Sequence, residues 1–468
     1  MSQSNTTTTA TATASTASSV PAFRENIVVS LLGFVIILVV MNTMMFNLAL
    51  PQITKDYNLS PIAASWIVTG YSIVFAIMSI TFSRLSDFVP LRTLFITGLG
   101  LFGAASLIGL FSNSFILLLG ARLIQAAGAA SIPGLSIVLI TRYIPVERRG
   151  NSMAIVISAS SLGLGLGPVI GGSVTQYMGW HYLFIITGIS LLLIPVFFRV
   201  IPKEAPQKGS FDLLGAVLIG IGTTGILLFL TGREWIMLGV GVLALLLFWL
   251  RIHRAGNPFV QPALFRNKTY MSLSALGIVS YINNFSTLFL LPQVLAHLYG
   301  LTPAQSGLII FPGAIVSMLL SGRVGRLIDR HGNILFIRYS PWLLMLAAIL
   351  FALFADTSFY SIMGIYVVLS VGFSTLTTSV SNQISEILPG DQIGAGMGFF
   401  QLIQFFSGAF SVAVTSIALD AGQSLPMGTA YSNIFWGMTA AAATAIICSL
   451  IYGSYHKAKY RAAADLGA

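Results

Sequence analysis

Fourteen nearly uninterrupted apolar runs of about twenty residues occupy most of the chain, and no other feature constrains the fold as strongly. A helix rises about 1.5 Å per residue, so about 20 apolar residues cross about 30 Å of hydrocarbon. The runs fall at 27–50, 62–83, 93–111, 114–140, 151–178, 180–201, 211–231, 234–252, 270–292, 304–322, 334–355, 358–381, 396–419 and 431–453. Barrel strands would alternate over about ten residues, whereas these runs are apolar on every face. The pattern predicts an all-α polytopic membrane protein with 14 transmembrane helices, or thirteen if the short pair after residue 211 is a re-entrant hairpin. Composition excludes the soluble alternative, because only 8% of residues are charged against about a quarter in soluble domains. The lone cysteine, Cys448, leaves no intramolecular disulfide and no Cys-based metal site.

A formal net charge of +10 would suit a nucleic-acid partner if the basic residues formed a stripe. They form short clusters between the runs instead. With the N-terminus inside, 20 of the 23 Lys and Arg lie in cytoplasmic segments, as the positive-inside rule requires. Lys55 and Arg233 lie outside and Arg122 lies within a run. Misplacing one helix would invert every later loop, so the charge is topological and no nucleic acid is expected. Both termini are then cytoplasmic, in a cell inner (plasma) membrane. Residues 1–20 are Thr/Ala-rich and uncharged, which reads as a disordered tail rather than a secretory signal.

Two cytoplasmic loops repeat. SRLSDFVPLR (83–92) and GRLIDRHGN (325–333) place Asp87 and Asp329 at 242 residues' separation, and IPVERRG (144–150) and LPGDQIG (388–394) match at 244. Duplicated halves are common in transporters. The expected organisation is 6+2+6: a cytoplasmic tail 1–26, a first half 27–201, an inserted pair with its loops 202–269, a second half 270–453, and a basic tail 454–468.

GRLIDRHG (325–332) carries the complete Gly-x-Leu-x-Asp-Arg-x-Gly loop signature of the major facilitator superfamily, which the chain resembles over residues 27–453. The first copy departs from it, with Ser83 and Pro90 for the glycines and Phe88 for the arginine. ARLIQAAGAA (121–130) resembles the family's Arg-x-x-Gln-Gly motif, with Ala126 for the glycine. GLGLGPVIGG (163–172) resembles the Gly-Pro motif of antiporters. Fourteen helices together with TRYIPVERRG, GSFDLLG and IIFPG resemble the Gram-positive tetracycline efflux proteins and related multidrug exporters. The resemblance implies proton-driven export of small amphipathic compounds. Those exporters carry acids where this chain has Thr43, Leu164 or Leu166, and the neighbourhood of Ser407 and Gly408.

No carboxylate lies at the bilayer midplane, so the candidate for substrate binding or coupling is Arg122, costly in lipid unless it faces protein or water. The bland alternative is an arginine bonded to the backbone of the first span. Gln125 shares its helix face. Because Arg122 cannot itself release a proton, it would act on a span-end acid such as Asp212, a titratable substrate or an anion. Gly163, Gly167, Pro168, Gly171 and Gly172 predict a bent helix in close packing, which reads equally as a fixed crossing or as a gate. Asp87, Arg92, Asp329 and Arg330 read as gate pairs between the halves, with plain topology anchoring as the alternative. Asn42, Asn47, Asn283, Asn284, Gln401, Gln404, Trp66 and Tyr71 are candidates for the central cavity or for bonding between helices. His181 and His297 fit an aromatic belt. No P-loop, zinc pair or nucleophile triad occurs, so no enzyme and no cofactor are expected. The leading expectation is an antiporter that acts as a monomer. An exporter or facilitator of an organic anion or neutral metabolite without proton antiport stays open, as does a non-transporting receptor or structural protein.

Overall fold

The computed structural model describes the backbone of residues 25–206, 211–389 and 393–465, with side chains except at 146–151, 153, 154, 157, 161, 322, 329, 393–395 and 455–465. The expected first tail therefore lies outside the described residues except for 25 and 26, whereas the backbone of the expected basic tail is described to residue 465 and continues the last helix. The helices are α1 (Glu25–Asp56), α2 (Pro61–Leu85), α3 (Leu91–Leu110), α4 (Phe115–Tyr143), α5 (Val146–Tyr177), α6 (Trp180–Val200), α7 (Leu213–Gly232), α8 (Trp235–Arg254), α9 (Lys268–Tyr299), α10 (Pro303–His331), α11 (Asn333–Phe354), α12 (Phe359–Ile387), α13 (Ile393–Ala421) and α14 (Met427–Asp465). Among the described residues, thirteen of these are long and apolar enough to cross a membrane. The remaining one is α5, which is 32 residues long.

Several helices outrun the apolar runs that announced them. Backbone hydrogen bonding continues past the hydrocarbon boundary, so α9 extends to Tyr299 and α10 to His331. The two copies of the repeated loop also end differently. The first unwinds at Ser86, with Pro90 opening α3. In the second, α10 stays helical until Gly332, which closes it at φ +78°, a conformation that favours glycine. Within α4 a break at Ala130 separates Phe115–Ala129 from Ser131–Tyr143.

Some helix starts and contacts recur at a fixed spacing. Pro61 and Pro303 open α2 and α10 at the same 242-residue spacing as the loop aspartates. In the first set of helices α1 packs on α5, and α3 on α4 and α6. In the second, α9 packs on α13 and α14, and α11 on α12 and α14. Two large crossings join the sets, α2 against α13 and α5 against α10, and α1 also touches α9 and α10. The two large crossings exchange under the repeat, since α2 corresponds to α10 and α13 to α5. The pair α7 and α8 pack on one another, and α7 also touches α2 and α13.

Candidate functional site

Arg122 is 1% exposed. Its Nη1 donates to Asn42 Oδ1 at 3.2 Å and to Gln125 Oε1, and its guanidinium lies 3.9 Å from the Phe46 ring centre and 4.2 Å from that of Tyr71. Asn42 Nδ2 donates to the Tyr71 hydroxyl at 3.2 Å. Gln125 Nε2 donates to Ser106 Oγ at 2.8 Å and Thr187 Oγ1 at 3.0 Å. A charge in a low-dielectric interior is tolerated only when hydrogen-bonded, and here amides, hydroxyls and π-faces replace the missing carboxylate. The partner on α1 is the Asn42 side chain rather than backbone. Ser106 and Thr187, which sequence reasoning missed, extend the network to α3 and α6. Unpaired hydroxyls on apolar helices are too common to single out without coordinates.

Asp212 does not belong to this network. It caps α7 by accepting from Gly215 N at 3.0 Å, accepts from Phe259 N at 3.2 Å and pairs with Arg251 Nε at 3.1 Å. It binds α7 to α8, which corrects the idea that Arg122 tunes it.

The glycines of α5 do face two ways. A β-carbon at Gly163 would come within 2.9 Å of the Ile37 carbonyl, and one at Gly171 within 2.7 Å of Met45 Cα. At Gly167 it would overlap Met44, and at Gly172 it would overlap the Pro303 carbonyl of α10. The Pro168 carbonyl would in turn overlap a β-carbon at Gly307. One helix thus presses against α1 on one side and α10 on the other, and Gln176 Oε1 adds a bond from Ala304 N at 3.2 Å.

At the end of the bundle that carries the repeated loops, the structure arranges their residues differently from the expected gate. Asp87 is exposed and in no ion pair among the described residues. Arg92 Nε donates to the Ile201 carbonyl at 3.0 Å, with its guanidinium over Phe198. The carboxylate at this junction is Glu204, another residue that sequence reasoning missed. It accepts from Leu91 N at 2.8 Å, the Tyr143 hydroxyl at 2.6 Å and Arg142 Nη1 at 3.1 Å. Burial alone would raise its carboxyl, but these donors and the Arg142 charge outweigh that and hold it below the usual carboxylate value. The Asp329 side chain lies outside the described residues, and Arg330 is exposed.

The remaining candidates divide. Asn284, 5% exposed, lines a cavity of about 210 Å³. Asn283 donates to Val279 of its own helix, and its Oδ1 has no partner among the described residues, nor has Asn47 Oδ1 or Gln404 Nε2. Gln401 Oε1 accepts from Ser79 at 2.9 Å, bonding α13 to α2 across the interface. Trp66 packs in the apolar cluster of Ile73, Leu227, Ala409 and Ala413. His181 stacks on Trp180, and His297 bonds the Tyr431 hydroxyl.

The sequence profile of the Major Facilitator Superfamily matches residues 32–412 and again 273–465. The riboflavin transporter RibZ of Clostridioides difficile is 28% identical, with 79% of this chain and 83% of that protein covered. The cephamycin export protein CmcT of Amycolatopsis lactamdurans is 27% identical, covering 86% and 87%. The putative multidrug resistance protein MdtD of Escherichia coli is 25% identical, covering 81% and 83%. Among solved structures, a peptide transporter in complex with alafosfalin matches with a TM-score of 0.69 at 14% identity, covering 91% and 95%. A bacterial homolog of the human lysosomal transporter Spinster, inward-facing and occupied, matches at 0.63 and 13% identity, covering 94% and 97%.

Proposed function

The chain belongs to the Major Facilitator Superfamily and is a multi-pass membrane transporter, and from that premise we propose that it exports small amphipathic compounds, drugs among them, from the cytoplasm in exchange for protons. On this reading it has fourteen spans, both termini are cytoplasmic, and α7 and α8 are inserted between two six-helix halves in the cell membrane.

The observation that carries the reading is the seating of α5. Its glycine face meets α1 of the same half, while Gly172 and Pro168 meet Pro303 and Gly307 of α10. A crossing whose tightest contacts are backbone on glycine, at Gly172 and Gly307, can part and reseal as the halves rock, and the sealed form excludes ions. The similarity to a cephamycin exporter and to a putative multidrug resistance protein supports export of drug-like molecules. An organic anion is less well served, because the buried cation is enclosed by Asn42, Gln125, Phe46 and Tyr71.

The test is intracellular accumulation of tetracycline, riboflavin, cationic dyes and lipophilic anions in cells with and without the gene, with Gly172→Leu as a control that unseats the crossing. At least one amphipathic compound should accumulate several-fold less when the wild type is present and regain its level in the variant. Accumulation that rises with the gene, or no difference for any compound, would sink the export reading.

A further inference from the structure

The cavity of about 210 Å³ lies where α9, α10 and α12 meet, with Met44 of α1 and Leu164 of α5 closing its near side. Its wall carries the rings of Tyr281, Tyr366 and Phe373, and no Asp, Glu, Lys, Arg or His side chain. Tyr281 is the centre of a ring cluster. Phe285 stacks at 5.5 Å with 20° between planes, Phe373 lies at 5.5 Å, and Phe405 meets it edge-on at 5.6 Å. Phe405 in turn lies 4.6 Å from Phe75 of α2, so the cluster crosses from one half to the other.

The polar part of the wall is built and unsatisfied. Asn284 makes no hydrogen bond to any described residue although it is 5% exposed. The Thr377 hydroxyl is buried without a partner among the described residues, and the Ser370 hydroxyl, 7% exposed, lies beside that of Tyr366. A buried polar group left without a hydrogen bond costs about 1–3 kcal/mol, so Asn284 and Thr377 at one cavity mark a place where a ligand completes the bonding. One amide and two hydroxyls are neutral and both donate and accept, which suits a ligand edge of mixed donors and acceptors. With no counter-charge in the wall, a formal charge on the ligand would be desolvated without compensation.

We infer that this cavity binds a planar, uncharged aromatic ring system carrying a hydrogen-bonding edge, with Tyr281 as the stacking partner and Asn284, Ser370 and Thr377 reading the edge. This rests on the export reading and names the substrate class for it. The cavity holds less than the 300–1,000 Å³ common for drug-sized ligands, so it receives the ring system while substituents extend toward α1 and α5.

Three fluorescent probes built on a planar tricyclic core and differing in charge test the proposal: lumichrome (neutral), proflavine (cation) and fluorescein (anion, with a pendant benzoate). Binding to the purified full-length protein is followed by fluorescence quenching or anisotropy. Lumichrome should bind at least tenfold more tightly than either charged probe, corresponding to about 1.4 kcal/mol. Tyr281→Leu should remove that preference and Tyr281→Phe should keep it. Asn284→Ala should weaken lumichrome several-fold, with thermal stability of the detergent-purified protein checked for each variant. Equal affinity across the three probes, tighter proflavine or fluorescein, or lumichrome binding indifferent to Tyr281→Leu in a folded variant would overturn the inference. Such results leave the export reading standing if the cellular panel still shows reduced accumulation. A panel without any export removes that reading even where lumichrome binds.

Discussion

Arg122 shows what one residue discloses before and after its neighbours are known. A lone arginine inside an apolar run signals a site because insertion is costly, and Gln125 three residues later places a partner on the same face. Both signals lie within one helix. What completes the site comes from elsewhere in the chain: Asn42 and Phe46 of α1, Tyr71 of α2, Ser106 of α3 and Thr187 of α6. Of these, Asn42 and Tyr71 stand out in the sequence as a polar and an aromatic group in their spans. Phe46, Ser106 and Thr187 resemble dozens of other span residues. The planar guanidinium lies against two rings while Nη1 bonds two amide oxygens, a geometry that lysine's single ammonium on a flexible stem cannot reproduce. Arg122→Lys should therefore retain less than about a tenth of transport, a loss of about 1.4 kcal/mol, and Arg122→Ala should abolish it. Initial rates of substrate export, normalised to folded protein at the membrane, check both. A lysine variant with full activity would mean that only the charge matters.

At the scale of elements, the apolar runs announce each helix but not its ends or its ties. Hydropathy reports the hydrocarbon thickness alone, so the extension of α10 to His331 escapes it. The junction at the start of α3 escapes it too, because Glu204 sits between Lys203 and Lys208 and has no partner at short sequence range. Glu204, from the loop after α6, accepts from Leu91 at the start of α3, and from Arg142 and Tyr143 at the end of α4. In the second half the corresponding ends of α11 and α12 are bonded directly, Asn333 Nδ2 donating to Glu386 Oε1 at 3.0 Å. The repeat conserves the junction and changes its chemistry. Arg142 is 37% exposed, so the ion pair itself contributes no more than about 1 kcal/mol. The linkage has a definite sign. Glu204's folded carboxyl is held below its usual value, so the stabilisation is present above the ordinary carboxylate range and is lost as pH falls through the depressed value. Thermal stability of the detergent-purified protein should fall on acidification through that range. Glu204→Gln should be less stable at neutral pH and should show a smaller acid-induced loss. A variant that matches the wild type at both pH values would make Glu204 a bystander.

For the whole molecule, the repeat is the most legible feature of the sequence, because Asp87 with Asp329 sets a spacing that the helix starts Pro61 and Pro303 reproduce. The two crossings between halves, α2 on α13 and α5 on α10, obey that symmetry, yet no local pattern names which helices will cross. The described carboxylates sharpen the question of energy coupling, for Asp87, Glu234 and Asp356 lie in the short connections between helices and five others are held in place. Asp56 accepts from Trp180 Nε1, Glu204 joins α3 to α4, Asp212 pairs with Arg251, Glu386 bonds Asn333, and Asp420 bonds Gln423. Each lies at a helix end or in a loop, already engaged. A proton exchanged for substrate must therefore reside on a group near one mouth or be left behind by a basic substrate that deprotonates before it is bound and takes up a proton on the far side, since Arg122 stays charged at working pH. The uncharged cavity wall favours the second route for basic substrates, which are bound in their neutral form. In proteoliposomes with a trapped pH dye, substrate flux should then move protons, and the pH dependence of transport should follow the pKa of whichever substrate is supplied. A profile that stays fixed when substrates of different pKa are compared would place the proton on the protein. Verified substrate flux that moves no protons under any imposed pH gradient would remove the antiporter assignment and leave facilitated export or another coupling ion.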